Sequence, residues 1–364
     1  MNTINLEEYL RSLCLIPGLS GHEQAVSKYI RKIFTDQGLS VTEDVLGNTM
    51  TTVKGSAPES PSILVSAHMD QLGFVVKTIL DDGFIKLDRL GGIPEKALPT
   101  LRVLIQADNG QLVNGLIGLK SHHLTPADEK YKVDPYGTLY VDIGCSSRAE
   151  VLALGIKVGS PVTYRPAFEK MQGKRCNGTA FDNRVACALL LGLAERLSRN
   201  PATTTVHLAA TVQEEYTIRG AILAARALKP KLCFCLDVAI AGDTPDLKGV
   251  NEVVLGGGPV ISMYNFHGRG TLNGTIPHPA MVRLLEKTAV QCGIPLQRYA
   301  SIGGLSELSY MQLEGEGICG VDLDVPCRYT HSQIETCDLG DMDLTLNLLE
   351  AAIRNVDSNF DMSR

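Results

Sequence analysis

The sequence contains no long uninterrupted apolar run, which argues against a transmembrane helix. No window of about 18 apolar residues occurs, and a helix that spans a bilayer needs about 20. The first residues, MNTINLEEYLRSL, lack a basic segment followed by an apolar stretch, so we expect no signal peptide. We therefore expect no membrane partner.

The sequence also lacks clustered positive charge and paired cysteine motifs. The net charge is −6 and no group of lysines and arginines forms a stripe, which argues against a nucleic-acid partner. The 10 cysteines are scattered, and none belongs to a C-x-x-C motif. Cys233 and Cys235 lie two apart in a strand-like run, so we expect both to be buried on one side. This usage predicts a reduced, cytoplasmic protein.

The 364 residues divide into two parts with different sequence patterns. Residues 1–72 and 166–364 alternate helical and strand-like patterns, which predicts a sheet with helices on both faces. Residues 73–165 contain short strand-like runs separated by Gly, Pro and Asp, which is typical of a small β-barrel. The predicted fold class is therefore α/β, a mixed sheet with helices on both faces, with a small β-barrel domain inserted into it.

Apolar periodicity and turn residues place the main elements of the α/β part. The predicted helices cover residues 5–14, 22–37, 182–199, 217–228, 278–293, 305–314 and 340–356. The predicted strands include SILVSAHM and residues 203–212, 231–237, 297–301 and 318–324, and VTEDVLGNTMTTV is expected to form a hairpin.

Two adjacent acids, Glu214 and Glu215, follow the apolar run 206–212. Each ion taken out of water costs several kcal/mol unless something compensates it, and the neighbours Gln213 and Tyr216 offer no cation. Since consecutive strand residues point to opposite sides, we expect the two carboxylates to do different jobs. One would bind a metal while the other reaches the attacking water.

Five further candidates stand near element ends or in a loop. His68 and Asp70 share one face of the strand SILVSAHMD, where the carboxylate would fix the histidine tautomer; a histidine satisfied locally is the alternative. Asp182 begins a long helix and Asp237 ends a strand, where cap roles are the alternatives. His331 lies in a loop, CRYTHSQIE, with no obvious core to fill.

The candidates are more informative as a set. Two histidines with three carboxylates suit two zinc or cobalt ions, with one carboxylate bridging them. Such cations would also neutralise the acid pair. The set comprises two histidines, three such carboxylates and the acid that would reach the water: His68, Asp182, Glu214, Glu215, Asp237 and His331.

A family resemblance emerges from motifs that occur together in order: PGLSGHE, AHMDQLGF, DIGCSSRAEVLALGIKVGSPV, FDNR, QEEYTIRGA, LDVAIAGDTPD, GGPVI and PCRYTHSQIE. With these motifs the sequence resembles the dinuclear-metal aminopeptidases of the glutamyl-aminopeptidase and tetrahedral-aminopeptidase family over essentially its whole length. The resemblance implies a zinc-exopeptidase-like fold and the removal of N-terminal residues from short peptides.

The resemblance also implies roles for individual residues. One zinc or cobalt ion would be held by His68 and Asp237, and the other by Glu215 and His331. The remaining roles are a bridge between the ions for Asp182, a general base for Glu214 and orientation of His68 for Asp70.

Assembly follows from the same resemblance. Residues 1–72 plus 166–364 would form the catalytic domain, and residues 73–165 would form a dimerisation domain. Such enzymes self-associate as dimers and as tetrahedral dodecamers.

The sequence departs from the family pattern at a few positions. Gln71 stands where Glu is usual, Asn183 where Asp is usual, and Tyr216-Thr217 where Gly-Leu is usual. The segment GGLSEL, residues 303–308, replaces Gly-Gly-Thr-Asp-Ala. These changes imply an altered substrate preference, and Glu307 would disfavour acidic side chains if it lined the pocket.

Three other functions remain open at the level of sequence. An N-acyl amino acid amidohydrolase needs a cation for the substrate carboxylate, and Arg184, Arg219 and Arg328 are candidates. A retaining glycosidase needs facing carboxyl groups about 5–5.5 Å apart, which adjacent strand residues do not provide. A non-catalytic assembly subunit is the third alternative, prompted by GGLSEL and Asn183.

Overall fold

The computed structural model describes residues 5–267 and 274–364. The first four residues of the segment in which we expect no signal peptide lie outside this part. The helices are α1 Leu6–Cys14, α2 Gln24–Asp36, α3 Arg148–Ala153, α4 Phe181–Arg199, α5 Glu214–Thr217, α6 Arg219–Leu228, α7 Pro279–Cys292, α8 Leu308–Met311 and α9 Leu339–Arg354. The strands are β1 Val41–Glu43, β2 Thr49–Val53, β3 Ile63–His68, β4 Gly73–Ile79, β5 Ile85–Leu90, β6 Arg102–Gln106, β7 Leu112–Ile117, β8 Val141–Asp142, β9 Pro161–Tyr164, β10 Phe168–Lys170, β11 Arg175–Gly178, β12 Val206–Thr211, β13 Leu232–Ile240, β14 Val260–Phe266, β15 Gly274–Thr275, β16 Gln297–Ile302, β17 Cys319–Cys327 and β18 Glu335–Asp338.

A mixed sheet forms the centre of the α/β part, as predicted. Its strand order is β1-β2-β12-β3-β13-β17-β14-β15, and β16 also pairs with β14. The four strands β12, β3, β13 and β17 run parallel to one another, whereas β14 is antiparallel to β17. The carboxyl ends of four parallel strands therefore meet at one edge of the sheet.

Helices cover both faces of this sheet, which confirms the prediction. Because side chains alternate along a strand, Phe234 and Leu236 of β13 join the core cluster that contains α1, α4 and α9. Cys233 and Cys235 face the other way and join the residues of α6 and α8. The two cysteines are fully buried on one side, as expected from their spacing.

The long helix α4 lies at the centre of the first helical layer, against β3, β12, β13 and β17. Its residues Leu189, Leu190, Leu191 and Leu193 are fully buried. Full burial of each leucine contributes about 1.5–3 kcal/mol. This packing holds the first turn of α4, which carries Asp182, at the edge of the sheet.

The strands β4-β5-β8-β7-β6-β9 close into a barrel, which confirms the predicted β-barrel insertion. Side chains such as Phe74, Val103, Ile105, Val141 and Val162 fill its interior. The chain enters the barrel after β3 and leaves it before β10, so the barrel stands beside the edge of the sheet where β3 ends. Among residues 5–267 and 274–364, none of the helices has the length and apolar content needed to cross a bilayer.

Some predicted elements differ from the structure. The helix predicted over 305–314 is only the turn α8, while the strand predicted over 318–324 continues to Cys327. The short strands β10, β11 and β18, which form their own sheet, were not predicted. Their sequences, FEK, RCNG and ETCD, lack an apolar alternation, and their pairing comes from tertiary contacts that strand propensity does not report.

Gly220 provides a test of the contact between the end of β12 and α6. A Cβ atom at this position would lie 2.4 Å from Asn48 Oδ1 and 2.5 Å from the carbonyl oxygen of Val212. We predict that Gly220→Ala lowers the free energy of unfolding by about 1–3 kcal/mol because it overpacks this junction. Urea denaturation measures the effect. The control Gly137→Ala, whose Cβ would meet nothing within 4 Å, should change stability by less than about 0.5 kcal/mol, and equal effects would contradict the prediction.

Candidate metal centre

The predicted site residues come together at the edge where the parallel strands end, which is where open α/β sheets place ligand sites. They arise from the end of β3, from β13 three residues before its end, from the turn α5 after β12, from the first turn of α4 and from the loop between β17 and β18. In that order they are His68, Asp237, Glu214 with Glu215, Asp182 and His331. The expectation that Asp237 ends its strand was wrong, because β13 continues to Ile240.

Asp182 is the member that connects this set. Potential ligand atoms of His68, Asp182 and Asp237 all lie within 4.8 Å of one another, and those of Asp182, Glu215 and His331 do so as well. Asp182 Oδ1 lies 3.2 Å from His68 Nε2, and Asp182 Oδ2 lies 3.5 Å from His331 Nε2. Burial would raise the pKa of Asp182, but hydrogen bonds with the two histidines outweigh burial and hold it below its usual range. Its side chain makes no helix-capping hydrogen bond, so the cap interpretation was wrong.

The acid pair lies on a helical turn rather than on a strand. The strand β12 ends at Thr211, and Glu214 and Glu215 form the start of α5. The expectation that they occupy a strand was therefore wrong. Successive residues of a helical turn point about 100° apart, so the two carboxylates still take different positions. Glu215 belongs to the second group of ligand atoms, while Glu214 Oε2 lies 4.0 Å from His68 Nε2.

Asp70 links His68 to the acid pair. Its carboxylate is fully buried and lies 3.5 Å from His68 Nδ1. It accepts hydrogen bonds from the backbone N–H groups of Glu214 at 2.9 Å and Glu215 at 3.0 Å, and from the Ser20 hydroxyl at 2.8 Å. Burial opposes ionisation, but the interaction with His68 and the hydrogen bonds from Glu214 and Ser20 hold the pKa of Asp70 below its usual value.

Glu335 holds the other side of the site, and sequence reasoning assigned it no role. Its side chain is buried and accepts hydrogen bonds from the backbone N–H of Asp182 at 3.0 Å and of His331 at 2.7 Å. The residue lies within the motif PCRYTHSQIE, which was its only signal. Nothing in local sequence indicates that Glu335 faces the helix that carries Asp182.

The acids of the site are poorly compensated by protein groups alone. Burial raises the pKa of Glu215 and of Glu335 to about 8. Burial is also the main cause that raises the pKa of Glu214 and Asp237. Bound cations would stabilise the ionised forms of these carboxylates, and the two ligand groups that share Asp182 could hold them.

Strained backbone accompanies the site. The φ angles of Ala180, Gln213 and His331 are 58°, 58° and 65°, in the left-handed region that costs a side-chain-bearing residue about 1–2 kcal/mol. Ala180 lies two residues before Asp182, Gln213 lies directly before Glu214, and His331 is itself a candidate ligand. Such outliers concentrate at functional sites, where surrounding contacts enforce them. No glycine or asparagine marks these positions, so the sequence contained no signal for them.

The departures from the family pattern separate into buried and cleft-lining positions. Gln71 Oε1 accepts the N–H of Gly18 at 3.1 Å, and Asn183 Nδ2 donates to the carbonyl oxygen of Leu236 at 2.8 Å, so both support the backbone. Tyr216, Thr217, Leu305 and Ser306, in contrast, line a cleft of about 860 Å³ next to the candidate metal ligands.

Glu307 does not line this cleft. Its side chain is buried at 1% exposure and accepts a hydrogen bond from the Thr211 hydroxyl. The expectation that Glu307 would repel acidic substrates from the pocket wall therefore has no basis in the structure.

Comparison with known proteins now adds to the geometry. The family described as M42 glutamyl aminopeptidase matches residues 47–348. The chain belongs to the M42 glutamyl aminopeptidase family. This confirms the family resemblance of the sequence, and it makes the M42 chain an aminopeptidase by family.

Individual relatives agree with this assignment. The M42 chain is 37% identical over 350 residues to SgcX of Escherichia coli K12, a protein named as an aminopeptidase, and the match covers 96% of this chain and 93% of SgcX. An aminopeptidase from the archaeon Desulfurococcus kamchatkensis has a similar structure, with a TM-score of 0.91, 31% identity and coverage of 98% and 97%. The TET1 peptidase of Pyrococcus horikoshii, which can assemble into a tetrahedron or a large octahedral shell, is also similar, with a TM-score of 0.85, 27% identity and coverage of 96% and 100%.

The position of Glu335 generates a prediction. Glu335→Ala removes the acceptor of two buried N–H groups, and each unsatisfied donor costs about 1–3 kcal/mol. Because partners behind metal ligands typically contribute 10–100-fold to metal affinity, we expect affinity for added zinc to fall at least about tenfold in equilibrium dialysis. Glu252→Ala, at an exposed glutamate, is the control and should bind zinc like the unaltered protein. Unchanged affinity in Glu335→Ala would refute the positioning role.

Proposed function

We propose that the chain is a dinuclear metallo-aminopeptidase that removes N-terminal residues from short peptides. The observation that carries this proposal is the pair of ligand groups that share the Asp182 carboxylate. A carboxylate common to two groups is suited to bridge two ions, and Glu214 lies beside them without being part of either group.

The donor atoms fit zinc or cobalt, which we propose as the ions. Each group combines one imidazole with two carboxylates, and these ligand types suit such metals. In addition, Glu215 Oε1 is buried and has no hydrogen-bond partner, as expected of an atom reserved for a cation. We assign His68 and Asp237 to one ion, Glu215 and His331 to the other, and Asp182 to both.

The side chains around the ions divide the catalytic work. Bound divalent ions supply a Lewis acid that polarises the scissile carbonyl and acidifies water. Glu214 takes a proton from the attacking water and returns it to the leaving amine, as a general base and then a general acid. Asp70 fixes the orientation of the His68 ring, and its two hydrogen bonds to the turn α5 hold the Glu214 and Glu215 backbones.

The three arginines on which the amidohydrolase alternative depends are not placed to bind a substrate carboxylate. Arg184 is fully buried, Arg328 is paired with Asp243 through two hydrogen bonds of 2.7 and 2.6 Å, and the guanidinium of Arg219 stacks on the ring of Tyr216. None of these three arginines lines the cleft. An N-acyl amino acid would therefore find its carboxylate unpaired by the arginines on which that alternative depends.

The other two alternatives are also weaker. Glu214 and Glu215 are neighbours on one helical turn, so they do not face each other across a sugar as glycosidase carboxylates must. A non-catalytic subunit is disfavoured because the six candidate side chains converge, and the departures Asn183 and Gln71 serve as backbone supports.

We further propose that the protein self-associates through residues 73–165, with residues 1–72 plus 166–364 as the catalytic domain. The barrel exposes apolar side chains, among them Leu112, Leu116 and Val158, which a second copy would cover. The shells of the Pyrococcus horikoshii relative support a higher assembly, for which we propose the dodecamer. All ten cysteines are free, in accord with a cytoplasmic location.

Substrate chemistry tests the proposed function. We expect the zinc- or cobalt-loaded protein to hydrolyse amino-acyl anilides and not the matching N-acetyl amino acids, because it acts at a free amino terminus. Dialysis against a chelator should abolish the activity, and added metal should restore it. Activity that survives metal removal, or a preference for N-acyl amino acids, would overturn the proposal.

Glu214→Gln tests the general base. The amide is nearly the same size as the carboxylate but cannot accept the proton, so turnover should fall by about 10²–10⁴-fold. Metal content, measured by mass spectrometry, should remain that of the unaltered protein because Glu214 lies outside both ligand groups. Turnover close to the unaltered rate would rule out this role.

A further inference from the structure

A second acidic position lies in the cleft, beyond the proposed metal ligands. Asp324 of β17 stands opposite Asp237 of β13 in the parallel register. It lines the cleft but is only 3% exposed. The strand order β3-β13-β17-β14 places it two strands away from His68.

Only one of the two carboxylate oxygens of Asp324 has a hydrogen-bond partner. Oδ2 accepts a hydrogen bond of 2.6 Å from the Ser262 hydroxyl, whereas Oδ1 is buried and has no partner. The charged groups that act on it are all acids, namely Asp322 and Asp182 and Asp237 on the neighbouring strand. A buried carboxylate without an opposing charge is costly, so a cation that enters the cleft would stabilise its ionised form.

The cleft around Asp324 is lined by both polar and apolar side chains. Ser262, Asn265, Ser301 and Ser306 contribute hydroxyl and amide groups to its wall. Val238 and Ile240, from the same strand as Asp237, line the cleft as apolar side chains. A substrate side chain with an apolar stem and a charged end fits such a wall. Lysine and arginine are of this kind, because they pack their methylene groups on apolar surface.

The order of the strands indicates which substrate cation would meet Asp324. Asp324 lies one strand beyond Asp237, about 4.7–4.9 Å away in the sheet, and on the opposite side of Asp237 from His68. The α-ammonium of a peptide is attached to the carbon beside the scissile carbonyl, so it would stay among the proposed metal ligands. The four-carbon stem of a lysine side chain can extend past Asp237 toward Asp324.

We propose that Asp324 selects peptides whose first residue has a cationic side chain, lysine or arginine. This inference rests on the proposed aminopeptidase function and specifies its substrate class. The Asp324 carboxylate pairs with the ammonium or guanidinium group, and Ser262 holds the carboxylate toward it. Peptides that begin with glutamate would meet a like charge and be poor substrates.

A matched pair of substrates tests the inference. Lysyl and norleucyl p-nitroanilides share the four-carbon stem and differ in the terminal charge. In the metal-loaded protein we expect kcat/KM for the lysyl substrate to exceed that for the norleucyl substrate at least about tenfold. Since removing one partner of a buried charge pair costs at least about 2 kcal/mol, Asp324→Asn should lower kcat/KM for the lysyl substrate at least about 30-fold. Its kcat/KM for the norleucyl substrate should change by less than about threefold.

Two controls accompany Asp324→Asn. Glu252→Gln removes one negative charge at an exposed position outside the cleft and should leave both rates unchanged. Ser262→Ala, which keeps the carboxylate but removes its hydrogen bond, should cause a smaller loss confined to the lysyl substrate and serves if Asp324→Asn does not fold. Calorimetry of free lysine and norleucine adds a readout without turnover, in which preferential binding of lysine should disappear in Asp324→Asn.

The outcomes separate this inference from the proposed function. Equal losses on both substrates would overturn the inference, because Asp324 would then act on every substrate. Equal rates for both substrates in the unaltered protein would overturn it as well. Failure to hydrolyse any amino-acyl anilide would sink the proposed function instead, and preferential binding of lysine through Asp324 would still support the cation site.

Discussion

The site depends on the contact that Asp182 makes with two histidines from distant parts of the chain. One carboxylate oxygen lies against His68 and the other against His331. A carboxylate can bridge in this way only if the start of α4 is held firmly between β3 and the loop after β17. The buried leucines of α4 fix its position. The geometry of the site therefore depends on the packing of the largest core cluster.

Two buried acids support the site from outside the proposed ligand set. The carboxylate of Asp70 accepts hydrogen bonds from the N–H groups of Glu214 and Glu215. The carboxylate of Glu335 accepts them from the N–H groups of Asp182 and His331. Each supporting carboxylate therefore ties two site residues to a different element of the fold. Precise chemistry needs side chains whose own backbone is fixed, and these four hydrogen bonds fix the backbone of the site, including that of the left-handed His331.

The order of the strands places the proposed metal ligands and Asp324 side by side along one cleft. The proposed metal ligands cluster about β3 and β13, and the acid that we assign to substrate selection follows on β17, supported by Ser262 on β14. In this proposal the residues for reaction and for substrate selection lie on successive strands. The departures Leu305 and Ser306 border the same cleft, so changes there affect the space offered to the first residue of a peptide and not the metal ligands.

The sequence by itself determined the long periodic elements, the β-rich insertion and the family, because apolar spacing, turn residues and motifs are local or ordered along the chain. It also singled out His68, Asp182, Glu214, Glu215, Asp237 and His331 as one set. Only the tertiary structure decided that the acid pair lies on a helical turn, that Glu335 supports two site residues and that Asp324 lacks a cation. These facts depend on residues far apart in the chain, as when Cys176 meets Cys337 across 161 positions. No local pattern encodes such contacts, because packing of the whole core brings these groups within reach of one another.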